Sequence, residues 1–337
     1  MTNQEKWKRF SAILDEAEAY GRAIGKLNFD MECCAPEEGM EQAGDDMALL
    51  GKHIHALTHS PEYAALVGEL HADGEGLSFA QRKTVEHLWE RYEKEKNLTE
   101  EFDHAWSVAA NRAYGKWLTA KKASDFSLFR DSLAEVVDFT RKAIDLRDEK
   151  PATYYNACLD DTEKGGSEAQ MDAFFGALKE RIVPLMRRIQ AEGKPIREDF
   201  LTRPCPIPEQ ERFSHYLLEA EGLRKSALVL MTTEHPFTTE FGPHDVRVTT
   251  HYFEDNFISN IFSTLHEGGH ALFMQNEPEE FWREHTAGSM SNAMHECISR
   301  FYENIIGRSE AFIHFVYPKL QEISGDTFSD VSERELY

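Results

Sequence analysis

Ser263–Phe273, STLHEGGHALF, sets two histidines four residues apart, with a glutamate beside the first and two glycines between them. Its surroundings, ISNIFSTL before and ALFM after, are largely apolar and suit a buried helix. On a helix turning about 100° per residue, His266 and His270 share one face and can pinch a single ion, while Glu267 sits about 100° round from His266. Zinc takes histidine nitrogens at about 2.0–2.1 Å, and a catalytic site keeps one position open for water. A glutamate in the second place of H-E-x-x-H then stands where it can take a proton from that water as it attacks a carbonyl. Gly268 and Gly269 each cost a helix interior roughly 1 kcal/mol against alanine. They lie off the metal face, so the expectation is that they thin the back and flank of the helix. The later helix bearing Glu296, or the strand 245–253, can then approach closely.

A third protein ligand is required. Downstream, SMSNAMHECISRFYENIIG (289–307) reads as a second helix, with Ser291 or Asn292 as N-cap. Glu296 lies 26 residues after His270, far enough for a second helix to return across the first. Glu303, seven residues further on and on the same face, is placed to orient a ligand histidine. Arg300, four residues after Glu296, is placed to steady its carboxylate. Spacing alone leaves two readings of Glu296 open: a metal ligand, or a surface glutamate paired with Arg300.

The rest of the chain is helical in pattern. Apolar residues recur at steps of three and four through 7–27, 79–98 and 126–149, and again through 167–193, where Ser167 is a plausible N-cap. The best strand candidate is DVRVTTHYF, Asp245–Phe253, after the turn-rich HPFTTEFGPHD. The expected fold is therefore mainly α, a gluzincin-like helical zinc-peptidase architecture with a small sheet beside the active-site groove. The 337 residues read as one domain, 1–337, without internal repeats. The net charge of −23 opposes nucleic acid and anionic membrane surfaces. No stretch approaches the ~20 apolar residues of a membrane span, and MTNQEKWKRF does not resemble a signal peptide. Five cysteines, two of them adjacent and none in CxxC spacing, argue for a reducing, cytoplasmic setting rather than for disulfides.

Three further stretches flank the metal motif in order: HPF (235–237), DVRVT (245–249) and HECISR (295–300). Together with HEGGH they resemble the carboxypeptidase Taq family of metallopeptidases, whose patterns are HPF, DxRxT, HExxH and a HES-type segment. LNFDMECCAPEEGM (27–40) and YNACLDDTEKG (155–165) also look like that family, so the resemblance runs from about residue 10 to the end. It implies a dimeric enzyme that removes single residues from peptide C-termini with broad preference and resists proline. Zinc, or cobalt in its place, would sit on His266, His270 and Glu296, with Glu267 as general base. His235, Asp245 and Arg247 would shape and narrow the groove. A second reading stays open for each: His235 as a loop residue, and Asp245 with Arg247 as an ordinary ion pair.

The sequence departs from the family in two places. Cys297 stands where Ser or Gly is common, and two later motifs, (I/N)RxxA(S/D) and GxxQDxHW, are missing. The second departure leads us to expect a piece of a longer protein, one that keeps its metal ligands but lacks the arginine that would hold a substrate's C-terminal carboxylate. Two other readings compete: a related helical zinc oligopeptidase that cuts internally, and a metal-binding helical protein without turnover.

Overall fold

The structure, a computed structural model, describes residues 1–288 and 290–337. In chain order the helices are α1 (Asn3–Cys33), α2 (Met40–Thr58), α3 (Pro61–Ala72), α4 (Phe79–Glu95), α5 (Glu100–Ala123), α6 (Ser127–Asp145), α7 (Tyr154–Thr162), α8 (Glu168–Glu192) and α9 (Ile207–Ala220). Three strands follow, β1 (Leu228–Thr232), β2 (Thr238–Glu240) and β3 (Val246–Thr250). Next come α10 (Phe257–Gln275), α11 (Glu279–Arg283), α12 (Asn292–Arg300), α13 (Glu310–Ser324) and α14 (Glu333–Leu336). The expectation of a mainly helical fold with one small sheet is borne out. Among the described residues no helix is long and apolar enough to cross a membrane.

The chain forms two compact units, Met1–Tyr154 with Pro278–Ser289, and Tyr155–Glu277 with Met290–Tyr337. In the first, α1 begins with a capping box in which Thr2 and Glu5 satisfy each other's backbone amides. Its face carrying Trp7, Phe10 and Leu14 packs on Tyr63, Leu66, Val67 and Leu70 of α3. The segment after α11 is tied into this unit by His285, whose Nδ1 lies 2.7 Å from Glu18 Oε1 and whose Nε2 lies 3.0 Å from Ser11 Oγ.

In the second unit α10 is the central element. One side carries Phe257, Ile261 and Leu265 into a core with Phe213 and Leu217 of α9 and Val316 and Leu320 of α13. The other side meets the sheet, where Val246 and Val248 of β3 pack with Ala271. The sheet order is β1-β3-β2, with β1 parallel and β2 antiparallel to β3. A fully buried polar knot sets the register. The Asn260 side-chain oxygen accepts from Ser214 Oγ at 3.0 Å, and from Thr250 Oγ1 and Thr264 Oγ1 at 3.1 Å each. Each hydroxyl satisfied there avoids a desolvation cost of about 1–3 kcal/mol, so slippage of α10 against α9 or β3 is penalised.

Candidate metal centre

α10 presents His266 and His270 one turn apart, their ring centroids 5.1 Å from each other. α12 crosses α10 where Gly269 stands, because a Cβ there would lie 3.0 Å from Ser299 Cα and 3.2 Å from Tyr302 Cβ. That approach delivers Glu296. Its carboxylate lies 3.7 Å from His266 Nε2 through Oε2 and 3.7 Å from His270 Nε2 through Oε1. All three donor atoms fall within 4.8 Å of one another. Tetrahedral zinc with bonds of 2.0–2.1 Å separates its ligands by about 3.4 Å, so the donor set fits a divalent ion once the side chains draw in by about an ångström. Glu296 is half exposed, which leaves the site open on one side, as catalytic rather than structural sites are.

The surroundings tune these candidate donors. Burial, then the neighbouring His266, push the His270 pKa down to about 4, so its imidazole stays neutral and keeps a lone pair to donate. His266 Nδ1 lies 3.0 Å from Glu303 Oε2. A carboxylate can only accept, so Nδ1 carries a proton, and in the neutral ring that tautomer turns the Nε2 lone pair toward Glu296. Arg300 donates to Glu303 at 2.8 Å and Arg308 at 3.3 Å, so two guanidinium groups hold that buried carboxylate. Arg300 lies nearer Glu303 than Glu296, from which its Nε is 3.6 Å away. Glu303 belongs to a π-helical turn, Phe301–Ile306, that extends α12.

Glu267 is buried, and Thr238 Oγ1 donates to its Oε2 at 2.7 Å as well as reaching its backbone oxygen at 3.0 Å. Burial raises the Glu267 pKa, and the Thr238 hydrogen bond opposes the rise. Sequence reasoning missed Thr238, which sits on β2 inside a stretch read as turn. It opposes Val248 in the β2–β3 ladder, and Val248 faces α10, so strand alternation also turns Thr238 toward the helix.

The other expected residues lie elsewhere. Arg247 alternates with Val246 and Val248, which fixes it on the sheet face away from α10. There it grips Asp245 with two hydrogen bonds of 2.9 and 3.1 Å, and its guanidinium lies 4.8 Å from the Phe241 ring. His235 is exposed in the turn before β2. His295, unassigned from sequence, rests its ring on Phe273 at 4.9 Å and on His270 at 5.5 Å, walling one side of the ligand pair.

Two histidines one turn apart and a carboxylate from a following helix match the donor set of the helical metallopeptidases, and the buried glutamate beside the first histidine matches their proton acceptor. The sequence comparison agrees with this class: the profile of the carboxypeptidase Taq (M32) metallopeptidases matches residues 9–337, and the chain belongs to that family. It is 33% identical over 327 residues to carboxypeptidase 1 of Bacillus subtilis, a match covering 96% of this chain and 65% of the relative. To thermostable carboxypeptidase 1 of Pyrococcus furiosus it is 35% identical over 309 residues, covering 90% and 61%. The apo-Mg structure of Pyrococcus furiosus carboxypeptidase superposes with a TM-score of 0.87 at 31% identity, covering 99% of this chain and 67% of that one. The chain thus spans less than two thirds of the length of both curated relatives.

Proposed function

We propose that this chain carries the metal centre of a zinc-dependent carboxypeptidase that releases single C-terminal amino acids from peptides. The observation that carries the proposal is the convergence of His266, His270 and Glu296 beside a buried Glu267 whose carboxyl group is fixed by Thr238. When bound, the metal supplies a Lewis acid that acidifies a water and polarises the scissile carbonyl. His270, kept neutral by burial, and His266, oriented by Glu303, offer the nitrogen donors, and Glu296 the oxygen donor. Glu267 takes the proton of the attacking water and returns it to the departing amine. The Thr238 hydroxyl holds one of its oxygens and so fixes the direction of the other. Cobalt in place of zinc, broad side-chain preference, resistance at proline and a homodimer belong to this reading through the family resemblance. A cytoplasmic setting is supported by cysteines that are all free thiols among the described residues.

The test uses the purified chain, stripped with chelator, reloaded with zinc or cobalt, and incubated with unmodified peptides under mass spectrometry. A ladder shortened one residue at a time from the C-terminus, halting before proline, is the expected result. Internal fragments would replace this reading with an oligopeptidase. One zinc bound per chain with no cleavage would leave the metal centre standing and remove the activity from this chain.

A further inference from the structure

The stretch YNACLDDTEKG (155–165) takes no part in the proposed chemistry, yet its local structure is closely fixed. It forms most of α7 and the turn that leads to α8. Asn156 donates to Glu168 Oε2 and accepts from Glu168 N, each at 2.8 Å, which ties the start of α7 to the start of α8. Within the turn, Gly165 N donates to Asp160 Oδ1 at 2.9 Å and Gly166 N to Glu163 O at 2.8 Å. Gly165 has a φ of 81°, in the left-handed region that favours glycine. The backbone of Glu163 is thereby set, and its carboxylate reaches α12, where Oε2 accepts from Ala293 N at 3.2 Å.

α12 needs that contact. It has 9 residues, and a helix so short is marginal by itself. The amides of its first turn have no carbonyl partner within the helix. Ser291 Oγ takes the one from Met294 at 3.3 Å, and Glu163 takes the one from Ala293. A carboxylate also suits the positive end of the helix dipole. Packing holds the other end: of the residues of α12 only Ser299 is buried, and it lies at the crossing with Gly269. His295 rests its ring on Phe273, which steadies the helix sideways but satisfies none of its amides. Ala293 and Ser299 lie about 9 Å apart along the axis, with Glu296 midway. Pinned at both ends, the helix holds Glu296 in place. Pinned at Ser299 alone, it can swing, and Glu296 moves about half as far as the free end. With 3.7 Å between its carboxylate and each imidazole, a swing of about an ångström decides whether all three donors reach one ion.

We infer that Glu163 is a positioning residue: it clamps the first turn of α12 and thereby sets where Glu296 stands against His266 and His270. Its effect on metal binding rests on the proposed metal centre, whereas the clamp itself does not. A turn that only joined α7 to α8 would use the Asn156–Glu168 and Asp160–Gly165 bonds. It would have no use for an acid aimed at a helix amide 130 residues further along the chain.

The test replaces Glu163 with alanine, which removes the acceptor, and with glutamine, whose side-chain oxygen can still take the Ala293 amide. In the metal-free chain, amide exchange at Ala293, His295 and Glu296 is expected to rise about five- to tenfold in Glu163→Ala and to stay within about twofold in Glu163→Gln. α10 keeps its protection in both. Zinc affinity, read by competition with a fluorescent chelator, should fall about five- to tenfold in Glu163→Ala and recover most of that in Glu163→Gln. Glu296→Ala is the deciding background. There Glu163→Ala should cost no further affinity, because the carboxylate through which the clamp acts is gone. A loss of equal size with and without Glu296 overturns the inference, since it makes Glu163 a general support of the fold. Unchanged exchange at Ala293 in Glu163→Ala overturns it too. If the chain with both glutamates takes up no zinc, the reading of the metal centre falls, and exchange in the metal-free proteins decides the clamp by itself. Should Glu163→Ala leave α10 unprotected, Glu163→Asp, one methylene short of Ala293, replaces it in both comparisons.

Discussion

At Gly268 the buried carboxyl tip of Glu221 occupies the place a Cβ would take, so a side chain there has to displace it. The expected neighbour was α12 or the strand 245–253. Instead, the residue after α9 folds its carboxyl group into the gap, with both oxygens buried and neither hydrogen-bonded. Burial raises the Glu221 pKa well above its usual value, so this carboxyl group keeps its proton to higher pH than a free one. Two predictions follow from this contact. Gly268→Ala should destabilise by about 1–3 kcal/mol despite alanine's better helix propensity, and adding Glu221→Ala should recover most of that loss. Urea unfolding of the double-mutant cycle measures the coupling, and strictly additive effects would dissociate the two residues. The second prediction concerns pH. A carboxyl group whose folded pKa exceeds its unfolded value of about 4.5 gives stability that is complete below pH 4.5 and is lost as pH rises. While Glu221 stays protonated in the folded state, that loss is about 1.4 kcal/mol per pH unit. Glu240, pushed up to about 7 by burial and by Glu277, and Glu267 contribute with the same sign. The difference in slope between the native protein and Glu221→Gln over pH 5–7 therefore isolates Glu221, and identical slopes would show that it is ionised when folded.

At the scale of elements, the proposed metal centre depends on how α10, α12 and the turn that follows α12 fit together. Gly269 permits the crossing. Its missing Cβ faces backbone at Ser299 Cα, which cannot swing aside as a carboxyl tip can. Gly269→Ala should therefore weaken zinc binding more than Gly268→Ala, because it moves α12 and with it Glu296. Glu303→Gln, which keeps the size of the side chain but loses its charge, should lower zinc affinity about 10–100-fold; competition with a fluorescent chelator measures both, and unchanged affinity in Glu303→Gln would reduce its contact with His266 to packing. Much of this was legible from spacing. His266 and His270 share a face by arithmetic, Ser291 caps α12 through its hydroxyl, and Glu303 falls seven residues after Glu296. The π turn was not legible, since no residue type announces it. It closes through Gly307 N to Tyr302 O at 2.7 Å, and Leu265 crowds the space where a Gly307 side chain would stand. Arg308 was missed for the same reason, because it follows Glu303 at a spacing that a regular α-helix does not bring together.

For the whole molecule, the sequence reveals local periodicity better than grouping. The period of 3.6 exposes helices as long as α1 and α8, and the apolar alternation at Val246 and Val248 exposes β3. β1 and β2 escaped because their partner lies in β3, more than a dozen residues from β1, and Thr238–Glu240 carries too few residues to show a period. The grouping into units escaped as well. The chain between His270 and Glu296 leaves the second unit at Pro278 and returns at Met290, a detour that no helical pattern records. We expected one domain, and calorimetry can decide whether the molecule unfolds as one. Both histidines and Glu296 belong to the second unit, and a ligand stabilises only what must unfold to release it. Zinc at 100 times its dissociation constant adds about 2.7 kcal/mol to that cooperative block. If the units melt separately, zinc should raise one transition by a few degrees and leave the other where it was, and chelator should reverse the shift. If a single transition moves as a whole, the first unit shares the stabilisation, and the 337 residues form one cooperative domain.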